Sequence, residues 1–154
     1  MARQVRRTRV MLLIASLLAD HGAMRNDPQR YVGGELVLVI DCADLSRSAT
    51  FWCSVLGYRP DGPAVGQYLG LLPKDGRGIQ LLLQRVDDPK PGKNRLHLDL
   101  RTRTLESEIT RVLAAGGRML TKEPMTEWGW TWHILADPDG NEFCVLQPPE
   151  SHWA

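Results

Sequence analysis

Two stretches of this chain, LVLVIDCADLSRSATFWCSVLG at residues 36–57 and LHLDLRTRTLESEITRVLAAGG at residues 96–117, repeat one pattern. Each begins with apolar residues typical of a strand and continues into an amphipathic helix. At an offset of 60 residues Gly57 corresponds to Gly117, so that both helices end at equivalent positions. The repeat therefore predicts two copies of one structural unit.

The first copy predicts a helix from Leu45 to Leu56 after the strand 36–40. Asp44 is a suitable N-cap and Gly57 a suitable C-cap for this helix. Turn-rich segments then predict three more strands, one near Tyr58 and the others at 67–72 and 78–86. The first copy thus reads as strand, helix and three strands.

The second copy opens with the strictly alternating strand Arg95–Arg101. Its leucines share one face, and His97, Asp99 and Arg101 share the other. Thr104 is the expected N-cap of a helix from Leu105 to the glycine pair at 116–117, and strands are predicted at 118–121, 131–136 and 142–147.

The domain organisation follows from the repeat. With 154 residues the chain has room for one ordinary domain, with module one at 35–86, module two at 94–149 and a Pro/Gly-containing linker at 87–93. Residues 1–34 form an N-terminal extension outside the repeat.

The N-terminal extension carries arginines before the apolar run Val10–Ala19, the order found in signal peptides. The run is too short to span a bilayer, and no small-x-small cleavage site follows it. We expect a cytoplasmic protein, with secretion as the alternative if residues 1–23 act as a signal peptide. A helical extension is a further possibility.

Composition narrows the range of partners. A net charge of +1, with 43% hydrophobic and 24% charged residues, gives no field that would gather nucleic acid or acidic lipid. We therefore expect neither nucleic-acid nor membrane binding. The three cysteines lack CxxC spacing, which favours a reducing compartment over a disulfide framework.

Several motifs together resemble the glyoxalase/bleomycin-resistance/dioxygenase proteins, also called the vicinal oxygen chelate superfamily. They are the paired strand-helix units, the stretch Asp41–Asp44, the strand carrying His97, and the turn Asp137-Pro138-Asp139-Gly140-Asn141. The resemblance is to the subgroup described as glyoxalase-like. It implies an α+β fold of two tandem βαβββ modules, whose curved mixed sheets surround a cavity with the helices outside. It also implies a small-molecule ligand and a homodimer.

Enzymes of this superfamily hold one divalent metal (zinc, nickel, manganese or iron) with ligands from the first and last strands of each module. Carried onto this chain, the four positions fall at Val37, near Gln80, at His97 and at Cys144. Val37 has no donor atom, and the register leaves Leu81 or Leu82 as alternatives to Gln80. The resemblance thus implies a degenerate metal site, with a metal-free cavity as an equal alternative.

His97 and Glu142 are the best remaining ligand candidates. Imidazole suits zinc, nickel or iron, although a cavity-lining histidine bonded to a neighbour fits the same pattern. Glu142 shares a strand face with Cys144, which makes it a candidate ligand and catalytic carboxylate, with a solvated carboxylate as the alternative. Asp99 is a further carboxylate that can orient His97 or shift the metal site.

An aromatic cluster stands in module two. Trp128, Trp130 and Trp132 recur at period two, and with Asp99 and Arg101 they are the predicted lining of a substrate cavity. A packed core or a module interface is the alternative for the tryptophans.

Two functions remain open from the sequence. One is a lyase or dioxygenase of the glyoxalase type, acting on a small oxygenated substrate at the degenerate metal site. The other is a metal-free small-molecule or drug-binding protein, similar to the bleomycin-resistance members. Metal content distinguishes them.

Overall fold

The computed structural model describes residues 30–31 and 34–153, and these form two helices, eleven strands and a short 3₁₀ turn. The first part of the chain contains β1 (Arg30–Tyr31), β2 (Gly34–Glu35), β3 (Val37–Cys42), α1 (Leu45–Leu56), β4 (Tyr58–Pro60), β5 (Tyr68–Pro73) and β6 (Gln80–Arg85). The second part contains β7 (Asp99–Arg101), α2 (Leu105–Ala114), β8 (Arg118–Met119), β9 (Met125–Glu127), β10 (Trp130–Ala136), β11 (Glu142–Gln147) and the 3₁₀ turn Glu150–Trp153.

The sheet topology confirms the repeat. Module one forms a sheet of order β3-β6-β5-β4, and module two a sheet of order β7-β11-β10-β8 with β9 added beside β10. In each sheet the first strand of the module runs parallel to the last, and the other neighbours are antiparallel. The predicted α+β architecture of two βαβββ modules with mixed sheets is therefore confirmed.

Helix α1 has both of its predicted ends. The Asp44 carboxylate accepts a hydrogen bond of 2.8 Å from the Arg47 amide, and Gly57 adopts the left-handed conformation with φ 68°. Both features are set by local residues, since a short acceptor satisfies a free first-turn amide and glycine adopts positive φ without strain. The helix buries Phe51 and Trp52 almost completely.

Helix α2 begins at Leu105 with Thr104 at the N-cap position, as predicted, but the capping bond expected from Thr104 is absent. Instead the Leu105 amide donates to the side-chain oxygen of Gln147 at 3.1 Å, so β11 supplies the acceptor. A tertiary contact has replaced the local one.

The strand predicted at Arg95–Arg101 is shorter in the structure, where β7 spans only Asp99–Arg101. Its single neighbour, β11, pairs Cys144 with Asp99, although the Cys144 amide still donates to the Leu98 carbonyl at 2.8 Å. Leu96 is 78% exposed and lies outside the core. Strand β9 was not predicted.

The core lies between the helices and one face of each sheet. Phe51 and Trp52 of α1 meet Phe143 of β11, with ring centroids 6.0 and 5.4 Å away. A single cluster of buried residues joins both helices to both sheets. The opposite sheet faces are left free of the helices, and they are where a ligand has access.

The turn at 137–141 fastens module two to α1. Asp137 is 2% exposed and accepts a bond from the indole of Trp52 at 3.2 Å. Asp139 accepts bonds from the Ala43 amide and the Ser48 hydroxyl, at 2.9 and 2.5 Å. The turn that marks the family resemblance therefore acts here as a connection between modules.

Most of the N-terminal extension, including the apolar run Val10–Ala19, lies outside the described residues. Neither helix in the described part of the chain is long and apolar enough to cross a membrane.

Candidate functional site

The free face of the module-two sheet carries the candidate site. Strand register puts Asp99 beside Cys144 and Trp132 beside Leu146 on this face. A pocket of about 490 Å³ opens over it. The pocket is lined by His97, Asp99, Glu127, Trp128, Trp130, Trp132, Cys144 and Leu146. Five of the seven module-two residues predicted for the cavity or for its metal therefore lie around one pocket, and Arg101 and Glu142 are the two that do not line it.

Trp130 and Trp132 form the wall of the pocket on β10. They are half-buried and face the same side because alternate residues of a strand point the same way. His133 points to the other side of the strand. There its Nδ1 lies 2.9 Å from the Thr121 hydroxyl, and the residue is 6% exposed. His133 is thus buried within module two and does not line the pocket.

Arg101 does not line the pocket itself but contacts Trp130, which does. Its guanidinium lies 5.2 Å from the centre of the Trp130 ring, within the range of a cation–π contact. The imidazole of His152, from the C-terminal 3₁₀ turn, also contacts Trp130 with centroids 5.2 Å apart. Trp130 is thus held from two elements while it lines the pocket.

Three potential metal ligands lie together at one end of the pocket. One donor atom from each of His97, Asp99 and Cys144 falls within 4.8 Å of the others. The His97 Nε2 is 3.4 Å from an Asp99 carboxylate oxygen, and both side chains are more than 40% exposed. Burial, together with the Asp99 charge and hydrogen bond, raises the pKa of Cys144 to about 11. The thiol is therefore protonated at neutral pH unless a cation binds it.

Glu142 is turned away from this cluster. Its carboxylate accepts bonds from the Asn94 amide at 2.8 Å and from the Lys90 ammonium at 3.0 Å. These bonds lower the pKa of Glu142 and fasten the linker between modules to β11. Glu142 shares with His97 only a smaller pocket of about 220 Å³ at the module junction.

Module one supplies no counterpart to the cluster. Val37 pairs with Gln80 and Val39 with Leu82, so that Leu82 stands where module two has Cys144. Gln80 is 6% exposed and packs within its own sheet against Gly70. The four-ligand cage that the superfamily implies does not fit this chain, because two of its positions carry valine and leucine.

Sequence reasoning missed two lining residues, Glu127 and Leu146. Glu127 faces the pocket because it pairs with Trp130 across a two-residue hairpin turn, Trp128–Gly129. The signal in the sequence for this hairpin is Gly129, since glycine is common in two-residue turns. The hairpin is hard to recognise because Trp128 precedes this glycine, and tryptophan is rare in such turns.

Comparison with known proteins identifies the family. The glyoxalase-like domain matches residues 37–146, which is most of the chain. The protein belongs to this family. Its membership places the chain in the vicinal oxygen chelate superfamily, as the motifs implied. A comparison with curated proteins finds no match.

Solved structures share the fold at low sequence identity. Hypothetical protein SA1046 from S. aureus is 20% identical with a TM-score of 0.58, covering 76% of this chain and 99% of that one. A glyoxalase/bleomycin resistance protein/dioxygenase family enzyme from Burkholderia phytofirmans is 16% identical with a TM-score of 0.59, covering 72% and 95%. The fosfomycin resistance protein FosX from Listeria monocytogenes is 13% identical with a TM-score of 0.62, covering 79% and 95%.

Proposed function

We propose that this glyoxalase-like protein binds a planar, positively charged small molecule in the module-two pocket without a metal. The observation that carries the proposal is the composition of the pocket lining, in which Trp130 and Trp132 form an aromatic wall beside the carboxylates of Asp99 and Glu127. A volume of about 490 Å³ lies within the range of pockets that hold small-molecule ligands.

The charge of the ligand follows from these side chains. Aromatic faces attract cations as well as flat apolar rings, and the two carboxylates add negative potential at the same opening. The guanidinium of Arg101 is engaged over Trp130. A flat cation therefore gains both stacking and charge pairing here, whereas a flat anion gains only stacking.

Quenching of tryptophan fluorescence tests the proposal with three flat probes, namely cationic proflavine, neutral acridine and anthracene carboxylate. We expect proflavine to bind most tightly and anthracene carboxylate most weakly. Glu127→Gln should weaken proflavine several-fold and leave acridine unchanged, because it removes charge and keeps shape. Glu106→Gln, on the outer face of α2, is the matched control. Equal binding of all three probes would contradict the charge preference, and no binding would overturn the proposal.

A metalloprotein is the second candidate, and the cluster of His97, Asp99 and Cys144 supports it. Imidazole, carboxylate and thiolate are the usual protein ligands of zinc, and three of them leave a position for a substrate oxygen. Sulfur disfavours manganese relative to zinc, nickel or iron. A bound metal would supply Lewis-acid polarisation of a substrate oxygen, as in a lyase or dioxygenase.

Metal analysis of purified protein separates the two candidates. Protein expressed with zinc, nickel, manganese or iron supplements should carry close to one equivalent of a preferred metal if the cluster is a metal centre. His97→Ala and Cys144→Ser should then each abolish retention without a large loss of thermal stability. Metal content below about a tenth of an equivalent in all four supplements would remove this candidate. The homodimer and the cytoplasmic location stay predictions.

A further inference from the structure

The hairpin between β9 and β10 has an unusual residue at its tip. Glu127 pairs with Trp130, which leaves only Trp128 and Gly129 in the turn. Their φ angles are 49° and 83°, both positive, as in a type I′ turn. Such turns favour asparagine, aspartate or glycine at the first position, because a bulky side chain there is strained.

Trp128 is unfavourable in two independent respects. Among the residues that the structure describes, it is the single non-glycine residue with positive φ. Its side chain is also 93% exposed, the largest exposure of any large hydrophobic residue in the described part of the chain. Backbone strain reduces the stability of the ligand-free fold, and the exposed indole contributes almost no burial to compensate for it. The described part of the chain buries almost none of this indole.

The position of Trp128 suggests that a bound ligand compensates for its strain and exposure. The residue lines the same pocket as Trp130 and Trp132, but it stands on the hairpin tip rather than on the wall. Because the exposed indole is not packed against neighbours, rotation about its side-chain torsions can turn it toward the opening. A flat ligand lying on the wall would then contact aromatic rings on both faces.

We propose that Trp128 is an aromatic lid that closes over a ligand bound against Trp130 and Trp132, and that its strain is retained for this contact. The inference rests on the proposed ligand-binding function. It predicts that removing Trp128 makes the free protein more stable and the complex weaker. A residue with a purely structural role would show the opposite change in stability.

The experiment compares wild type with Trp128→Asn and Trp128→Phe. Trp128→Asn should raise the melting temperature by about 2 °C or more, since asparagine suits the turn. It should also weaken proflavine binding about tenfold, measured by calorimetry so that the loss of a fluorophore does not matter. Trp128→Phe keeps a ring and should bind proflavine within about threefold of wild type. Glu106→Gln, on the exposed outer face of α2, is the control and should change neither quantity.

The outcomes separate the lid from the pocket. If wild type binds proflavine and Trp128→Asn binds it equally well, the lid is overturned while the pocket stands. If wild type binds none of the three probes, the proposed function is overturned and the lid with it. If Trp128→Asn converts a dimer to a monomer in light scattering, Trp128 belongs to an interface between copies and the lid is again overturned.

Discussion

At the scale of single residues, Asp139 is the clearest case of a side chain whose environment determines stability. Its side chain is 8% exposed and lies 2.6 Å from the Arg47 guanidinium. Burial alone would raise the pKa of Asp139, but hydrogen bonds from Ser48, Ala43 and Arg47 together lower it. A lowered pKa means that the folded state favours the ionised carboxylate.

We expect Asp139→Asn to lower the free energy of unfolding by about 1–3 kcal/mol at pH 7, because the buried Ser48 hydroxyl and the Ala43 and Arg47 donors lose a charged acceptor. The stabilisation is complete above the unfolded pKa and is lost as pH falls through the lower folded pKa. Urea unfolding should therefore show a gap between variant and wild type that narrows below about pH 4. Asp87→Asn, in the exposed linker, should show no gap. A gap that stays constant down to pH 3 would contradict the role given to ionisation.

The same scale shows which site residues the sequence could predict. Asp99, Trp130 and Trp132 were predicted to face a cavity because strand alternation is a local property. Glu142 was given the same direction by alternation, yet its carboxylate binds the Asn94 amide and the Lys90 ammonium. Those partners lie on the linker and at the residue after it, about 50 residues earlier in the chain, and no local pattern indicates where a linker passes.

At the scale of elements, the sequence predicts a boundary well when residues next to that boundary determine it. Helix α1 has the predicted ends because Asp44 and Gly57 act on their own neighbours. Strand β7 is shorter than its alternation suggested, because a strand persists only where a partner offers backbone groups, and β11 pairs it through three residues. The C-terminal 3₁₀ turn gave no signal in the sequence, but its His152 packs against Trp130, which lines the pocket.

The C-terminal turn should control the orientation of Trp130. His152 packs edge-to-face on the Trp130 ring at 5.2 Å and on Trp153 at 4.9 Å. We expect His152→Ala to shift the Trp130 resonance in the fluorine spectrum of fluorotryptophan-labelled protein, and to weaken proflavine binding several-fold. His152→Phe should restore both, since a ring is what the contact requires. An unchanged Trp130 resonance in His152→Ala would show that the turn is not needed to position the wall.

At the scale of the whole molecule, the repeat predicts how each module is built but not how the two are joined. The joining residues break the repeat. At the offset of 60 residues Phe51 corresponds to Arg111, but the two residues join the modules in different ways. Phe51 is buried against Phe143 of module two, whereas Arg111 reaches across the surface to module one. A duplicated pattern contains no information about contacts made by residues that differ between its copies.

Arg111 therefore offers a test of whether the modules unfold together. Its guanidinium donates to the carbonyl oxygens of Ser54 and Val55, both at 2.6 Å, at the C-terminal end of α1. Glu108 orients it from the same helix at 3.0 Å. These carbonyls lack helical partners, and the helix dipole makes this end favourable for a cation. Arg111→Ala should thus lower the free energy of unfolding by about 1–2 kcal/mol, reduced by the exposure of the side chain.

The shape of the unfolding curve, in addition to its midpoint, reports whether the two modules unfold together. Because one buried cluster includes both helices and both sheets, we expect a single urea transition for wild type and for Arg111→Ala, with the slope unchanged. Arg111→Lys should recover less than half of the loss, since one ammonium cannot match two carbonyls as a planar guanidinium does. Arg118→Ala, an exposed arginine on β8, is the control and should leave the midpoint in place. Two separate transitions in Arg111→Ala would instead mean that the modules are stable alone and that surface bonds, rather than the shared core, hold them together.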